Sequence, residues 1–446
     1  MTQPKSTTAT AQPEVGSTSI LNIQHWQTSQ GTPVYFVATP QLPMVDILVL
    51  FNAGASRDGI KPGLAKLTNS LLDEGTANLT ADQISQQFDN VGVIYRTTLD
   101  RDMGGIGLRS LTDPKFLEPA INTFTQVLTA PNFPEDAVQR IKNQVLISLQ
   151  EERQSPDTIA KKAFVKLLYG DQPYGHSILG SEESVQTLTR ADVQQFYQQY
   201  YVAKNAVIVM VGDLSTDKAR EIANQVTQGL PPGQPANPLL PAKQVTIAQQ
   251  KAIDFPAQQT TVLLGQVGIT PQDPDYFPLT VGNFVLGSDP LVSELSKQIR
   301  SQHGWAYTVT SVFSPLQAGG PFAVFLQTRN AEAQNAINLA RQIVDQFIQQ
   351  GPTEQQLADA KKNIIGSFPL SLDSNSDILD QLSYMVFYHL PLDYLDTYRA
   401  KVDAVTVNQV REAYQKHLQP NNMVTVTVGG LMDSAIANSS KQGIVE

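Results

Sequence analysis

Largely apolar runs that end in glycine alternate along this chain with amphipathic helical patterns. Residues 47–54 and 205–212 are such runs, and residues 261–268 and 422–429 resemble them. Their β-branched and apolar content is typical of buried strands. Long helical patterns lie between them, for example at residues 137–150 and 354–367. Strands at the ends of each half with helices between them predict an α+β fold, in which helices cover one face of a sheet.

The second half of the chain repeats the first. Residues 193–197 and 205–214 return as residues 410–414 and 422–431, and each matching pair is 217 positions apart. Self-similarity at a constant offset indicates that one domain has been duplicated. Five prolines, at positions 231, 232, 235, 238 and 241, separate the two copies. Proline disfavours helices and central strands, so this segment is predicted to be an extended linker.

These patterns divide the chain into five parts. A flexible N-terminal tail, residues 1–20, is rich in Thr, Ser, Ala, Gln and Pro and cannot form a core. The first domain is predicted at residues 21–230, the linker at 231–241 and the second domain at 242–435, followed by a tail at 436–446.

Composition excludes several functions. The net charge of −10 argues against nucleic-acid binding, and the absence of cysteine excludes thiol catalysis and cysteine-bound metal. No apolar run is long enough to span a membrane. The N-terminal tail has no apolar core of a signal peptide, but it is typical of a spacer in an envelope protein. We therefore expect the periplasm or cell envelope, with the cytoplasm as the alternative.

Residues 63–76 form an amphipathic pattern that predicts a helix with Lys66 and Ser70 on one face and Asn69 beside them. A zinc helix needs two histidines at this spacing and a glutamate as general base. A lysine cation would repel Zn²⁺, and Asn and Ser are poor zinc ligands. The five histidines of the chain form no pair four residues apart. This segment is therefore predicted to hold no metal.

The residues around this helix resemble the M16 (insulinase-like) peptidase family. Residues 52–58, 63–65 and 75–76 are similar to the family's signature around its inverted zinc motif, His-x-x-Glu-His. In that register Lys66 and Ser70 replace the two histidines, Asn69 replaces the glutamate, and the third ligand falls on or near Ser148. The resemblance implies that this chain binds no metal or other cofactor, and that zinc belongs to a partner subunit. Residues 169–185 also resemble the family, and His176 within them is interpreted as structural.

A second resemblance lies in residues 293–307. Asp289 and Pro290 are predicted to begin a helix whose apolar stripe is Leu291, Val292, Leu295 and Ile299. Gly304 is predicted to end it, and residues 305–312 form a strand. Arg300 and Tyr307 then flank a tight reversal. In the family, an arginine and a tyrosine seven residues later bind the substrate carbonyl at the zinc site, so Arg300 and Tyr307 are the expected catalytic residues. His303 is interpreted as a solvent-exposed turn residue.

The resemblance implies two domains with mainly antiparallel sheets that form half of a clam. It further implies a subunit that is inactive alone, with a homologous zinc-bearing M16 subunit as partner and peptides as substrates. The heterodimer would be a zinc metallopeptidase. The alternative is a non-catalytic scaffold, either structural or peptide-binding.

Overall fold

The computed structural model describes residues 19–430. Three predicted parts lie wholly or partly outside this range. They are most of the N-terminal tail, the tail at 436–446 and the last residue of the second repeat. Ser19 and Ile20, at the end of the predicted first tail, contact the second half of the chain. The Ser19 hydroxyl and the Ile20 N–H donate to the two carboxylate oxygens of Asp396, at 2.8 and 2.6 Å.

The described part of the first half contains six strands and eight α-helices. The strands are β1 (Ile23–Gln27), β2 (Pro33–Ala38), β3 (Met44–Phe51), β4 (Ile94–Leu99), β5 (Gly104–Leu111) and β6 (Ala206–Gly212). The helices are α1 (Leu64–Asn69), α2 (Ala81–Asn90), α3 (Pro114–Thr129), α4 (Glu135–Glu152), α5 (Pro156–Tyr169), α6 (Glu182–Thr187), α7 (Arg190–Tyr200) and α8 (Thr216–Thr227).

The described part of the second half contains five strands and six α-helices. The strands are β7 (Gln250–Ile253), β8 (Gln259–Val267), β9 (Ala306–Phe313), β10 (Pro321–Arg329) and β11 (Val424–Val428). The helices are α9 (Tyr276–Asn283), α10 (Ala333–Gln350), α11 (Glu354–Ser367), α12 (Asn375–Phe387), α13 (Tyr394–Ala404) and α14 (Val407–His417). Phe284–Ser288 and Ser296–Gln302 are π-helical. Between residues 19 and 430, no helix is long and apolar enough to cross a membrane.

The two sheets share one topology. The first has the strand order β1-β2-β6-β3-β5-β4, and the second has the order β7-β11-β8-β10-β9. Apart from β1, each strand of the first sheet has a counterpart in the second. Only the β2–β6 and β7–β11 pairs are parallel; the other pairs are antiparallel. The repeated helix–strand units are α7–β6 and α14–β11. The predicted α+β fold of two related domains is confirmed.

Each sheet is covered on its second face by a helix from the other half. On β3, Ile47 and Val49 pack with the helices of the first half, whereas Leu48 and Leu50 pack against α12. Conversely, α5 packs on β8 and β11 of the second sheet through Phe164 and other residues. The repeat predicted the helices on the first face, but the exchange of α5 and α12 between the halves was not predicted.

The proline-rich segment is extended and bound to the first half. No helix or strand lies between Thr227 and Gln250. The carbonyls of Pro231 and Pro232 accept the N–H groups of Ala203 and Lys204 at 2.8 and 3.1 Å. The segment therefore connects the halves along a defined path.

Candidate functional site

The residues around α1 that resemble the family signature are joined by buried hydrogen bonds. The Asp58 carboxylate accepts the N–H groups of Gly63 and Ala65, both at 2.7 Å, and contacts the His176 Nε2 at 3.0 Å. Burial raises the pKa of Asp58, although these hydrogen bonds oppose the shift. His176 also lies 3.0 Å from the Ala55 carbonyl. These contacts agree with the interpretation of His176 as structural, because it joins two segments of the fold.

At the positions where the resemblance places the family's zinc ligands and general base, the side chains have other partners or none. Asn69 is buried, and its amide donates to the Gly105 carbonyl at 3.0 Å and the Tyr201 hydroxyl at 3.2 Å. Lys66, Ser70 and Ser148 are half-buried. None of these side chains is a ligand that zinc favours in proteins. Asn69 is therefore part of the core.

The helix at this motif is shorter than predicted. The pattern predicted residues 63–76, but α1 ends at Asn69 and is followed by turns. Leu71 and Leu72 are both fully buried. Beyond Asn69, the N–H groups of Leu71 and Glu74 donate to the carbonyls of Thr68 and Leu71, three residues back rather than the four of an α-helix. The helix prediction was therefore wrong beyond Asn69.

One group of potential metal ligands exists within residues 19–430, and it lies in the second half: Asp273, Asp275 and His417. Lys416 already bonds to Asp275 at 2.6 Å, and His417 Nε2 lies 2.8 Å from the same carboxylate. Partial burial raises the pKa of Asp275, but the bonds from Lys416 and His417 outweigh it and lower the pKa overall. The group is thus an ion-pair network that joins α14 to the segment before α9.

Arg300 and Tyr307 lie together, as the spacing predicted. The Arg300 guanidinium carbon is 5.0 Å from the centre of the Tyr307 ring. The Arg300 Nη1 donates to the Pro290 carbonyl at 3.2 Å. Tyr307 is 79% exposed, and its hydroxyl has no hydrogen-bond partner among the described residues. The pair therefore presents unused donors to solvent.

A β-bulge explains the exposure of Tyr307. On β10, Gln327 pairs with Thr308 and Thr328 pairs with Ala306, so Tyr307 is an extra residue in β9. An extra residue is released from the ladder, and its side chain can be directed away from the packed faces. β9 is also an edge strand of its sheet. The backbone therefore places the phenol at a free sheet edge.

The segment before Arg300 differs from the predicted helix. Asp289 caps the N–H groups of Leu291 and Val292 at 2.8 Å, as an N-cap should, but residues 290–292 form only a turn. Leu291 and Val292 are 69% and 60% exposed, whereas Leu295 and Ile299 are fully buried. The predicted apolar stripe was wrong for its first two members. The physical reason is that the Pro290 carbonyl accepts the side chains of Ser296 and Arg300 in place of a helical N–H.

The Arg300–Tyr307 pair has the chemistry of an oxyanion-binding site. A guanidinium carries five N–H donors, and the phenol adds one O–H donor. Donors of this kind stabilise negative charge that develops on a carbonyl oxygen. Stacking of the cation on an exposed ring contributes about 0.5–1 kcal/mol, which helps to keep the two groups aligned. The Pro290 carbonyl, which orients the guanidinium, was not predicted, because no pattern in the sequence marks a backbone acceptor.

A separate cavity of about 660 Å³ lies where the linker meets both halves. Its lining includes Tyr35, Lys204, Leu239, Gln317 and His389. The sequence does not predict this cavity, because its walls come from segments that are distant in the chain. Neither Arg300 nor Tyr307 lines it.

Comparisons with known proteins agree with this fold. Residues 34–182 match the family model described as "Insulinase (Peptidase family M16)", and residues 187–364 match "Peptidase M16 inactive domain". The crystal structure of a peptidase M16 inactive domain from Pseudomonas fluorescens is 39% identical. It superposes with a TM-score of 0.88 over 92% of this chain and 98% of that chain.

Two curated relatives are more distant. The "non-peptidase homolog YmxG" of Helicobacter pylori is 28% identical over 91% of this chain and 94% of its own length. The mitochondrial-processing peptidase subunit beta of Blastocladiella emersonii is 22% identical over 92% of this chain and 90% of its own length.

The fold and the two matched regions define the class as a duplicated α+β chain of the insulinase type. The chain belongs to peptidase family M16.

Proposed function

We propose that this chain is the zinc-free subunit of a heterodimeric M16 metallopeptidase. Arg300 and Tyr307 would act on the peptide carbonyl at a zinc site carried by a second, homologous chain. The observation that carries this proposal is the geometry of the pair. An arginine stacked on a highly exposed tyrosine, both with unused donors, lies at a free sheet edge.

The loss of metal ligands supports a division of labour. Lys66, Asn69, Ser70 and Ser148 stand where the family resemblance places the ligands and the general base, and Asn69 is committed to core hydrogen bonds. A partner with an intact His-x-x-Glu-His motif would supply zinc, which activates water for attack on a carbonyl. The name of the relative from Blastocladiella emersonii describes a subunit, which is consistent with an assembly of M16 chains.

In this proposal the two side chains of this chain bind and stabilise the substrate. The Tyr307 hydroxyl donates to the carbonyl oxygen as negative charge develops on it. The Arg300 guanidinium holds the same oxygen with N–H groups that the Pro290 carbonyl leaves free. The hydrogen bond to Pro290 and the stacking on Tyr307 orient the guanidinium before the substrate arrives, so little reorganisation is needed.

The alternative function is a non-catalytic scaffold, either structural or peptide-binding. One observation favours it, because the relative from Helicobacter pylori is described as a non-peptidase homolog. The two functions differ in what the exposed Arg300–Tyr307 pair does, so variants of this pair discriminate between them.

The test is reconstitution with a candidate M16 chain that carries His-x-x-Glu-His. The isolated chain should contain no stoichiometric zinc by elemental analysis and should cleave no peptide. In the heterodimer, Tyr307→Phe should lower kcat by about 10²–10³-fold, since one oxyanion donor is lost. Arg300→Ala should lower kcat in the same direction, and the double variant should lose less than the product of the two effects, because both groups serve one charge.

The control is His303→Ala, at an exposed residue of the turn between Arg300 and Tyr307. It should assemble and cleave at wild-type rates. If Tyr307→Phe and Arg300→Ala also assemble and cleave at wild-type rates, the scaffold function is correct.

A further inference from the structure

Two large apolar residues are exposed directly after Pro290, whose carbonyl accepts a hydrogen bond from Arg300. Leu291 and Val292 are 69% and 60% exposed, although they belong to a segment whose next apolar residues, Leu295 and Ile299, are fully buried. We call the turn of residues 290–292 the apolar shelf. Single exposed apolar residues are common, whereas neighbouring ones form a patch to which an apolar group can bind.

The apolar shelf is held in place by hydrogen bonds. The Asp289 carboxylate accepts the N–H groups of Leu291 and Val292, both at 2.8 Å. The Pro290 carbonyl accepts the Ser296 hydroxyl at 2.6 Å and the Arg300 Nη1 at 3.2 Å. Ser296 is itself buried. The two apolar side chains are therefore presented on an ordered turn.

Arg300 connects the apolar shelf to the proposed carbonyl-binding pair. The same guanidinium that donates to the Pro290 carbonyl stacks on the Tyr307 ring, with 5.0 Å between the guanidinium carbon and the ring centre. A peptide whose carbonyl reaches Arg300 and Tyr307 would thus place a neighbouring side chain near Leu291 and Val292.

We propose that the apolar shelf is a subsite for an aliphatic side chain of the peptide, next to the carbonyl that Arg300 and Tyr307 bind. The inference rests on the proposed function and adds a substrate preference to it. An aspartate side chain on the apolar shelf would lose hydration and would face the Asp289 carboxylate, which caps the same turn, while the free N–H groups of Arg300 are occupied by the peptide carbonyl. Peptides with leucine at this position are therefore preferred over peptides with aspartate.

The test uses the double variant Leu291→Ser/Val292→Ser in the full chain, with Leu370→Ser as the control. Leu370 is 71% exposed and belongs to the 3₁₀ segment Phe368–Leu372. In the heterodimer, kcat/KM is measured on two series of short peptides. Within each series leucine or aspartate replaces one residue at a time on either side of the cleaved bond.

The double variant should lower kcat/KM for the preferred leucine peptide by about 10-fold or more, the size typical of lost apolar contacts in a specificity pocket. The double variant should leave kcat/KM for the aspartate peptides unchanged. Leu370→Ser should change neither.

A second readout separates this inference from the proposed catalytic role. Binding of the same peptides, labelled with fluorescein, to the isolated chain is followed by fluorescence anisotropy. A leucine preference that the double variant abolishes supports the apolar shelf, even if Arg300 and Tyr307 variants cleave normally with the partner.

Two results would overturn the inference. One is an unchanged preference for leucine over aspartate in the double variant, in cleavage and in binding. The other is weakened assembly with the zinc-bearing chain in size-exclusion chromatography while peptide preference persists. The second result would identify residues 290–292 as a subunit contact.

Discussion

Asn69 occupies the position at which the family resemblance places a general base, yet its contacts are structural. Its amide binds the Gly105 carbonyl and the Tyr201 hydroxyl in the core. Burial raises the pKa of Tyr201 far above its usual value, so the phenol stays neutral. Asn69 and Tyr201 therefore form a neutral hydrogen-bonded pair at this position. At the scale of single residues, α1 offers no side chain that zinc favours, whereas Arg300 and Tyr307 present unused hydrogen-bond donors.

The partly buried carboxylate of Asp100 allows the free-energy cost of burying a charge to be measured. Burial raises its pKa to about 6, although its Oδ1 accepts the N–H groups of Asp102 and Met103 at 2.7 Å. Because the pKa is higher in the folded state, ionisation of Asp100 destabilises the fold above about pH 6. The penalty shrinks as the pH falls from about 6 to about 4.

Asp100→Asn should therefore stabilise the chain at pH 7.5 by about 1–3 kcal/mol, since the amide oxygen can keep both hydrogen bonds. The gain should fall as the pH approaches 4, as measured by urea denaturation across this range. Asp171 is the control. Its hydrogen bond to Lys166 lowers its pKa, so Asp171→Asn should give no gain at pH 7.5. A gain from Asp100→Asn that does not vary with pH would contradict this account.

At the scale of elements, irregular backbone positions the candidate site. The bulge in β9 releases Tyr307 from the ladder, and the π-helical segment Ser296–Gln302 carries Arg300. π-helical turns and bulges are often found at functional sites, where they redirect side chains. Helices α5 and α12 are also positioned as whole elements, because each packs on the sheet of the opposite domain and completes its core.

The exchange predicts that the two halves unfold together. Leu382 of α12 is fully buried against the first sheet, so Leu382→Ala should cost about 2–5 kcal/mol. The chain has two tryptophans, Trp26 in the first half and Trp305 in the second. Urea denaturation is followed by tryptophan fluorescence in two backgrounds. In Trp305→Phe the remaining Trp26 reports on the first half, and in Trp26→Phe the remaining Trp305 reports on the second half. Leu382→Ala should lower both midpoints equally, while exposed Leu370→Ala should lower neither. A lower urea midpoint for the Trp305 signal alone would show that the first half unfolds independently.

At the scale of the whole molecule, a buried cluster around Asp102 joins the two halves. The Asp102 carboxylate accepts the Tyr174 hydroxyl at 2.5 Å, the Gln317 N–H at 2.8 Å and the Tyr388 hydroxyl at 3.0 Å. Tyr174 belongs to the first half, and Gln317 and Tyr388 belong to the second. Burial raises the pKa of Asp102, while these three donors and nearby Arg57 oppose the shift. One carboxylate therefore helps to set the relative position of the domains.

Asp102→Ala should destabilise the chain by about 3–5 kcal/mol, because two buried tyrosine hydroxyls and the Gln317 N–H lose their acceptor. Hydrogen exchange should increase around Gln317 and Tyr388, which are far from position 102 in sequence. The control is Asp403→Ala, at an exposed carboxylate with no hydrogen-bond partner among the described residues. Unchanged exchange at Gln317 would mean that the cluster does not hold the halves together.

The sequence by itself determined the duplicated α+β fold, because the 217-residue offset and the strand and helix periodicities are local patterns. It also predicted that Arg300 and Tyr307 lie close together, because they are only seven positions apart. Only the tertiary structure decided the exchange of α5 and α12, the Asp102 cluster and the cavity at the linker. These features depend on contacts between residues that are distant in sequence. The exposure of Leu291 and Val292 also depends on tertiary structure. The side chains of Ser296 and Arg300 donate to the Pro290 carbonyl in place of a helical N–H, and helical periodicity in the sequence does not predict these bonds.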